Sequence, residues 1–449
     1  MTPAITSERD VAAIGREIAV ALPPATHHPV RLLDERLMTR IAEDPDLRGA
    51  LFRFVDVAPA CRSREELAAH LLEELERVEH RPAPVRAALG ARAGAIRRRA
   101  LGALAARSVE HMAHRFIIGR SARDALPLLA ELWRSGAASS LDLLGEATLT
   151  RDEGDAYARR CDEALRTLAA GSAGWPLDAR LEADSIGPLP RANLSVKLTG
   201  LTPVMPPDAP AVGEHEAEPR LRALLRLARD LGAHLHVDME SYDTRDTALG
   251  LVLRLLSEDE FGDGPSAGIV VQAYLRDSPQ ELDRVLAWTG ATRRTPPLVV
   301  RLVKGAYWDQ EVALARQHGW EPPVFTSKAE CDLNFERLTR ALLEARPRVR
   351  VAIASHNLRS LAYAIATSRA LGGADRDLEL QVLRGLGDDL AQALATLALR
   401  VRVYCPVGEL VEGMAYLVRR LLENTSNESF VHHRAEGAPL EELLAPPLQ

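Results

Sequence analysis

Eight short apolar segments alternate with amphipathic helical patterns along the C-terminal part of this 449-residue chain. Each segment has the length of one buried strand and is rich in Val, Leu or Ile. The segments are residues 140–145, 192–198, 234–240, 268–274, 298–305, 349–355, 378–383 and 400–405. Eight strands separated by helices predict an α/β protein, a (βα)8 TIM-type barrel. No GxGxxG sequence follows any of these strands, which argues against a Rossmann dinucleotide site.

The N-terminal part of the chain has a different pattern. Residues 1–135 carry apolar residues at three- and four-residue spacing, and only the run FIIG at 116–119 resembles a strand. We therefore predict a helical arm or cap over 1–135 and the barrel over 136–435. Residues 436–449 are acidic and end in prolines, which is typical of a tail at a domain boundary.

Charge and hydropathy exclude several classes of protein. The net charge of −7 and the pI of about 6.1 argue against nucleic acid as the main partner. No stretch approaches the roughly 18 apolar residues that cross a bilayer. The N-terminus carries acids early and has no basic start before an apolar block, so we expect no secretory signal. The sequence predicts a cytoplasmic protein.

Cysteine and histidine spacing predicts no metal site. The four cysteines lie far apart and form no CxxC pair, so we expect four reduced thiols. His234 and His236 would share one face of a strand and could bind a metal together. No third ligand is near them in sequence, and packing within the strand is therefore the preferred interpretation.

Polar residues are concentrated at the C-terminal ends of the predicted strands, where (βα)8 enzymes carry their active sites. They are Glu146, Lys197, Asp238, Glu240, Gln272, Arg301, Lys304, Ser355, His356, Asn357 and Tyr404. Burying such groups is costly unless they bind a ligand or one another. A ligand site and a structural network across the barrel both remain open, and the concentration at one end favours a site. Only three of the 56 basic residues are lysines, and two of them are in this set.

The last predicted helix, GELVEGMAYLVRRLLEN, carries a polar stripe. Tyr416, Arg419, Arg420 and Glu423 are spaced i, i+3, i+4 and i+7, so they share one helix face. Two guanidinium groups on one face suit the binding of a carboxylate. A surface helix with salt bridges is the alternative, and it does not explain the tyrosine.

At the level of motifs the chain resembles the proline dehydrogenases. The resemblance is carried, in order, by SSLDLLGEATL, LSVKLTGL, VDMESYDTRDTALGLV, GIVVQAYLRDSP, RLVKGAYWDQEVALARQHGW, PPVFTSKAECDLNF, ASHN, LELQVLRGLG and YCPVGELVEGMAYLVRRLLEN. It covers residues of about 110 to 434 and is strongest to the proline dehydrogenase half of bifunctional proline-utilisation flavoenzymes. The resemblance implies a distorted barrel in which the last helix lies over the strand ends. It also implies noncovalent FAD and oxidation of L-proline to Δ1-pyrroline-5-carboxylate, the first step of proline catabolism.

The resemblance also implies roles for individual residues. Asp238 and Arg301 are assigned to the catalytic group, with Asp238 holding the substrate site in place and Arg301 stabilising negative charge on the reduced flavin. The substrate-binding residues would be Lys197, Leu383, Tyr404, Tyr416, Arg419, Arg420 and Glu146. The FAD-binding residues would be Gln272, Arg301, Val303, Lys304, Gly305, Ala306, Trp308, Ser355, His356 and Glu423.

The resemblance also implies partners, and three alternative functions remain open. The resemblance implies a membrane quinone as electron acceptor, hence peripheral contact with a membrane, and a separate aldehyde dehydrogenase that consumes the product. A dehydrogenase of hydroxyproline or another cyclic imino acid remains an alternative, although Tyr416 would crowd a 4-hydroxyl group. A Schiff-base aldolase that uses Lys197 or Lys304 is a second alternative. A non-enzymatic barrel is the third.

Overall fold

Eight parallel strands form a closed barrel in a computed structural model of the chain, as the sequence predicts. The structure describes residues 6–23, 44–57, 63–78, 115–145, 148–409, 413, 416 and 439–447. The strands are β1 (Ala137–Leu143), β2 (Asn193–Lys197), β3 (His234–Asp238), β4 (Ser266–Gln272), β5 (Leu298–Val303), β6 (Val349–Ala354), β7 (Leu378–Leu383) and β8 (Arg400–Val407). Each strand pairs with its neighbours in chain order, and β1 closes the barrel by pairing in parallel with β8.

Helices precede the first strand, separate the strands along the chain and follow the last one. In the described ranges they are α1 (Glu8–Ala21), α2 (Pro45–Val57), α3 (Arg64–Glu76), α4 (Ala122–Arg134), α5 (Arg151–Ser172), α6 (Ala179–Glu182), α7 (Leu198–Leu201), α8 (Pro210–Asp230), α9 (Tyr242–Leu256), α10 (Ser278–Ala291), α11 (Trp308–His318), α12 (Lys328–Glu344), α13 (Leu358–Ala370), α14 (Asp388–Thr396) and α15 (Leu440–Leu443). Within the part that the structure describes, none of these helices is long and apolar enough to cross a membrane.

The strands alternate between an aliphatic outer face and a polar inner face. On β3, Leu235 and Val237 belong to the apolar core, whereas Asp238 bonds to Tyr404 on β8. Since β1 and β2 separate β3 from β8 around the barrel, that bond crosses the interior. The inner face therefore holds polar side chains where most barrels of this type hold branched aliphatic ones.

Helix α4 packs against β1 and α5, on the outer wall beside β1. A regular barrel would place the helix that follows β8 at this position. Gly413 and Tyr416, the two described residues of the last helix, are helical and buried. A Cβ added to Gly413 would meet Ile117 and Leu144, and Leu144 directly follows β1 at its C-terminal end. Gly413 thus lies at the mouth of the barrel, where the resemblance places the last helix.

The first described helix packs on the barrel wall. Helix α1 contacts α13, where Arg359 donates hydrogen bonds of 2.8 Å and 3.0 Å to the carboxylate of Glu8. The same guanidinium donates to Glu336 Oε1 at 2.8 Å and to the carbonyl of Leu444 at 2.8 Å. Arg359 therefore joins the N-terminal helix, the barrel and the C-terminal segment.

The strand bounds differ from the sequence expectation by up to three residues, and the division into domains remains open. Strand β1 begins at Ala137 instead of 140, because the small residues before Leu141 give no apolar run. The run FIIG forms no strand, although Ile118 N donates to Pro406 O at 2.9 Å. The division of the chain at 135 and 435 stays a prediction.

We predict that Arg359→Met lowers the free energy of unfolding by roughly 3 kcal/mol, because it leaves buried carboxylate charge without its cation. Arg369→Met on the same helix is the control, since the Arg369–Asp375 pair has exposed fractions of 42% and 38%. Its loss should change stability by less than about 1 kcal/mol. Urea unfolding followed by circular dichroism measures both, and equal changes would contradict the role of Arg359.

Candidate active site

Asp238 is the centre of a hydrogen-bonded cluster at the C-terminal end of the barrel. Arg301 on β5 donates from Nη1 to Asp238 Oδ1 at 2.6 Å, and Tyr404 on β8 donates to Asp238 Oδ2 at 2.6 Å. The Arg301 guanidinium also lies 5.3 Å from the centre of the Tyr404 ring and donates to Ser195 at 3.2 Å. The three predicted residues are thus brought together from separate strands.

Lys197 completes the cluster through a residue that the sequence prediction missed. Its ammonium group donates to Asp142 on β1 and lies 4.0 Å from Asp238 Oδ2. Asp142 is fully buried. A charged residue inside the apolar segment SLDLLG is the signal that could have identified it. Two cations, Lys197 and Arg301, therefore face two carboxylates, and the cluster is neutral without a ligand.

Electrostatics keep Tyr404 protonated. Burial raises the pKa of Tyr404 well above its ordinary value, and the negative charges of Asp142 and Asp238 raise the pKa further. The phenol therefore remains a hydrogen-bond donor to Asp238 across the pH range in which proteins are stable. This bond fixes the orientation of the ring at the barrel mouth.

Gln272 and Gly305 lie on the neighbouring strand ends. Gln272 Nε2 donates to Glu240 O at 2.9 Å, while its Oε1 is buried and has no hydrogen-bond partner among the described residues. Gly305 follows β5 with φ +142°, and a Cβ at this position would overlap the ring of Tyr274. Tyr274 therefore requires glycine here, whether or not a ligand approaches.

Lys304 and Trp308 lie farther out along the same segment. The Lys304 ammonium contacts Asp332, and Lys328 Nζ lies 3.5 Å from the other oxygen of that carboxylate. Trp308 is 39% exposed and donates from its indole nitrogen to Phe325 O at 2.9 Å. Val303 and Ala306 are half-buried. These predicted residues extend from the last residue of β5, Val303, to the first residue of α11, Trp308.

His356 and Leu383 are joined across two strands. Leu383 N donates to His356 Nε2 at 2.9 Å, so this nitrogen carries no proton. Ser355 accepts a hydrogen bond from Asn357 N at 3.0 Å and is half-buried at the end of β6. These groups face the same end of the barrel as Asp238, because all eight strands are parallel.

Four predicted site residues lie outside the described residues: Glu146, Arg419, Arg420 and Glu423. Tyr416 is described, and it is buried with 4% of its surface exposed. The assignments of all these residues to substrate or cofactor stay predictions.

The described histidines, cysteines and lysines bear on three hypotheses: a metal site, reduced thiols and a Schiff-base aldolase. His234 and His236 bond to each other at 3.1 Å, and no group of three potential metal ligands occurs in the described ranges. Three of the cysteines, Cys161, Cys331 and Cys405, are described and are free thiols. Lys197 and Lys304 are each paired with a carboxylate, which favours the charged ammonium over the neutral amine that a Schiff base requires.

Comparison with known families identifies this barrel. The family model described as "Proline dehydrogenase" matches residues 125–433, more than half of the chain. The chain belongs to the proline dehydrogenase family. A second family model, "Proline utilization A N-terminal domain", matches residues 8–116.

Individual relatives agree with this assignment. "Bifunctional protein PutA" of Salmonella typhimurium is 33% identical over 348 residues, which is 75% of this chain and 25% of that protein. "Proline dehydrogenase 1" of Bacillus subtilis (strain 168) is 26% identical over 71% of this chain and 89% of its own length. The solved structure of PutA from Bdellovibrio bacteriovorus, inactivated by N-propargylglycine, has a TM-score of 0.87 and 35% identity. It matches 98% of this chain and 44% of that chain. The chain thus spans about a quarter of the length of the Salmonella relative.

We predict that Gly305→Ala destabilises the fold by at least about 3 kcal/mol, because the methyl group overlaps Tyr274 and the backbone angle excludes other residues. Gly319→Ala is the control. Gly319 also has positive φ, at +70°, but nothing lies within 4 Å of an added Cβ. That variant should lose only about 1 kcal/mol. Thermal unfolding of both variants tests the difference, and similar losses would show that Tyr274 does not select glycine.

Proposed function

We propose that this chain oxidises L-proline to Δ1-pyrroline-5-carboxylate with FAD as the bound oxidant, the first step of proline catabolism. The observation that carries the proposal is the neutral cluster of Lys197, Asp142, Asp238, Arg301 and Tyr404 at the C-terminal end of the barrel. It stands where barrel enzymes bind substrates, in a chain of the proline dehydrogenase family.

The residues around the cluster fit a flavin. The unpartnered Oε1 of Gln272 is a buried acceptor at the strand ends, and a flavin ring has N–H and carbonyl groups that could pair with such an amide. Arg301 Nε also has no hydrogen-bond partner among the described residues. The residues that would hold FAD are Gln272, Arg301, Val303, Lys304, Gly305, Ala306, Trp308, Ser355, His356 and Glu423. When bound, FAD supplies the acceptor for a hydride.

The protein's own contribution is binding and orientation. Lys197, with Arg419 and Arg420, would bind the substrate carboxylate, and Glu146 would close the site by pairing with Arg419. Leu383, Tyr404 and Tyr416 would pack against the pyrrolidine ring and exclude water. Asp238 is a positioning residue: it holds the Arg301 guanidinium and the Tyr404 phenol at fixed places relative to each other.

The proposal includes an electron acceptor, a location and an enzyme that consumes the product. A membrane quinone would accept the electrons, with peripheral contact between the protein and the membrane, in a cytoplasmic setting. A separate aldehyde dehydrogenase would consume the product. The name "Bifunctional protein PutA" of the Salmonella relative supports the pairing of two activities in this family.

We predict that the purified protein carries the visible absorption band of oxidised flavin, and that L-proline bleaches this band when oxygen is absent. Cyclopentanecarboxylate is the matched control, because it has the same ring and carboxylate but no ring nitrogen from which an imine can form. A colourless protein in which borohydride traps a carbonyl substrate on a lysine would instead establish an aldolase.

We predict that Lys197→Met raises the KM for L-proline at least about tenfold, because one charge-assisted hydrogen bond to the substrate carboxylate is lost. The variant should also be less stable, since Asp142 is left buried without its cation. Steady-state kinetics and thermal unfolding measure the two effects.

The double variant Asp142→Asn/Lys197→Met separates binding from stability. It should recover most of the lost stability, because the buried charge is removed, while its KM stays high. Arg166→Met, which removes an exposed pair with Asp162, is the control and should change neither quantity. A normal KM in the double variant would show that Lys197 serves only the fold.

A further inference from the structure

A second buried polar cluster lies at the opposite end of the barrel. Here the strands begin, and a two-stranded hairpin that contains Asp184 covers the opening. Asp184 is buried, and its Oδ1 accepts a hydrogen bond of 3.2 Å from Nη2 of Arg350 on β6. Its Oδ2 forms an ion pair with Arg350 Nε at 3.0 Å without a hydrogen bond. Beneath the hairpin is a cavity of about 20 Å³. We call the residues around this cavity the floor cluster: Asn193, His234, His236, Ser266, Arg350, Glu379, Gln381, Arg400 and Arg402, with Asp184.

Cations exceed anions in the floor cluster. Three guanidinium groups, those of Arg350, Arg400 and Arg402, are buried with exposed fractions of 2–4%. Two carboxylates, Asp184 and Glu379, are buried with them. Guanidinium groups keep their proton in proteins, so the cluster has an excess of one positive charge if both histidines are neutral.

Both histidines are neutral at physiological pH. Burial, together with the charge of the neighbouring Arg402, lowers the pKa of His234 to about 3. Burial also lowers the pKa of His236 well below its ordinary value, together with the charge of Arg301. Glu379 is ionised: burial alone would raise its pKa, but Arg402 and Arg400 outweigh burial and hold the pKa below its usual range.

The two carboxylates do not accept hydrogen bonds from all of the guanidinium N–H groups in the floor cluster. Both Glu379 oxygens accept from Arg402, at 2.8 Å and 3.0 Å, and Oε1 also accepts from Gln381 at 2.6 Å. Arg400 approaches these carboxylates only at 3.5 Å and 3.8 Å. Within the described part of the chain, Nη1 of Arg350 and Nη1 of Arg400 have no hydrogen-bond acceptor. Both residues line the cavity.

We propose that the floor cluster binds one chloride ion, held by Arg350 and Arg400. The ion would supply the missing negative charge and would accept hydrogen bonds from Nη1 of Arg350 and Nη1 of Arg400. The cavity suits a particle of this size, because a single water needs about 10–15 Å³ measured in the same way. Phosphate and sulfate, with five heavy atoms, exceed the space.

The binding of chloride is tested by thermal unfolding of the full chain in sodium chloride and in sodium gluconate at equal ionic strength. Chloride should raise the Tm of the wild-type protein by about 2 °C, with saturation, because it binds only the folded state. Arg400→Gln removes the excess charge, and its Tm should be the same in both salts.

Arg348→Gln is the matched control. Arg348 lies at the same end of the barrel, immediately before β6, but it is exposed and does not line the cavity of the floor cluster. Its variant should keep the full chloride effect. An equal Tm of the wild-type protein in both salts, or a full chloride effect in Arg400→Gln, overturns the proposal.

A direct measurement covers the case in which Arg400→Gln does not fold. Wild-type crystals grown in sodium bromide should give an anomalous peak between Arg350 and Arg400. Ordinary water density at that position without anomalous signal would also overturn the proposal. The test is independent of proline oxidation, because neither measurement depends on turnover.

Discussion

The structure depends on the pairing of charges that are buried inside the barrel. Asp238 receives hydrogen bonds from two strands that are not its neighbours, and Lys197 lies between Asp142 and Asp238. Each of these groups would be costly to bury alone. The requirement that each charge of this cluster has its partner fixes the relative positions of β1, β2, β3, β5 and β8. The same requirement holds the side chains of the proposed site in place before a substrate arrives.

The position of α4 makes room for this site. The helix covers the outside of β1, so the helix after β8 does not have to close the wall there. Gly413 is instead buried against Leu144, at the barrel mouth, and Tyr416 of the same helix is buried as well. A helix at the mouth can present polar side chains to a ligand, whereas a helix on the wall must present apolar ones to the strands. The polar stripe that includes Tyr416 has a physical reason in this arrangement.

The sequence predicts local features of this fold well and long-range features poorly. Alternating apolar segments located all eight strands, with β7 at its observed bounds and β1 displaced by its small residues. Polar residues at strand ends identified Asp238, Arg301 and Tyr404, because their cost of burial is visible in sequence. Asp142 was missed although it follows the same rule. The contacts of Arg359 with Glu8 and Leu444 join segments that lie 351 and 85 residues away along the chain, and no local pattern encodes them.

Charges of both buried clusters act on His234 and His236, which line the floor cavity. Arg301, in the upper cluster, lowers the pKa of both His234 and His236, and Arg402, at the floor, lowers both as well. The upper cluster is neutral within itself, whereas the floor has one excess positive charge. Weakly screened charge acts over long distances in a low-dielectric interior. The net charge of the floor cluster therefore contributes to the electrostatic potential at the barrel mouth. An anion bound in the floor cluster would cancel its excess positive charge. The attraction of a substrate carboxylate would then come from Lys197 and the other groups at the mouth alone.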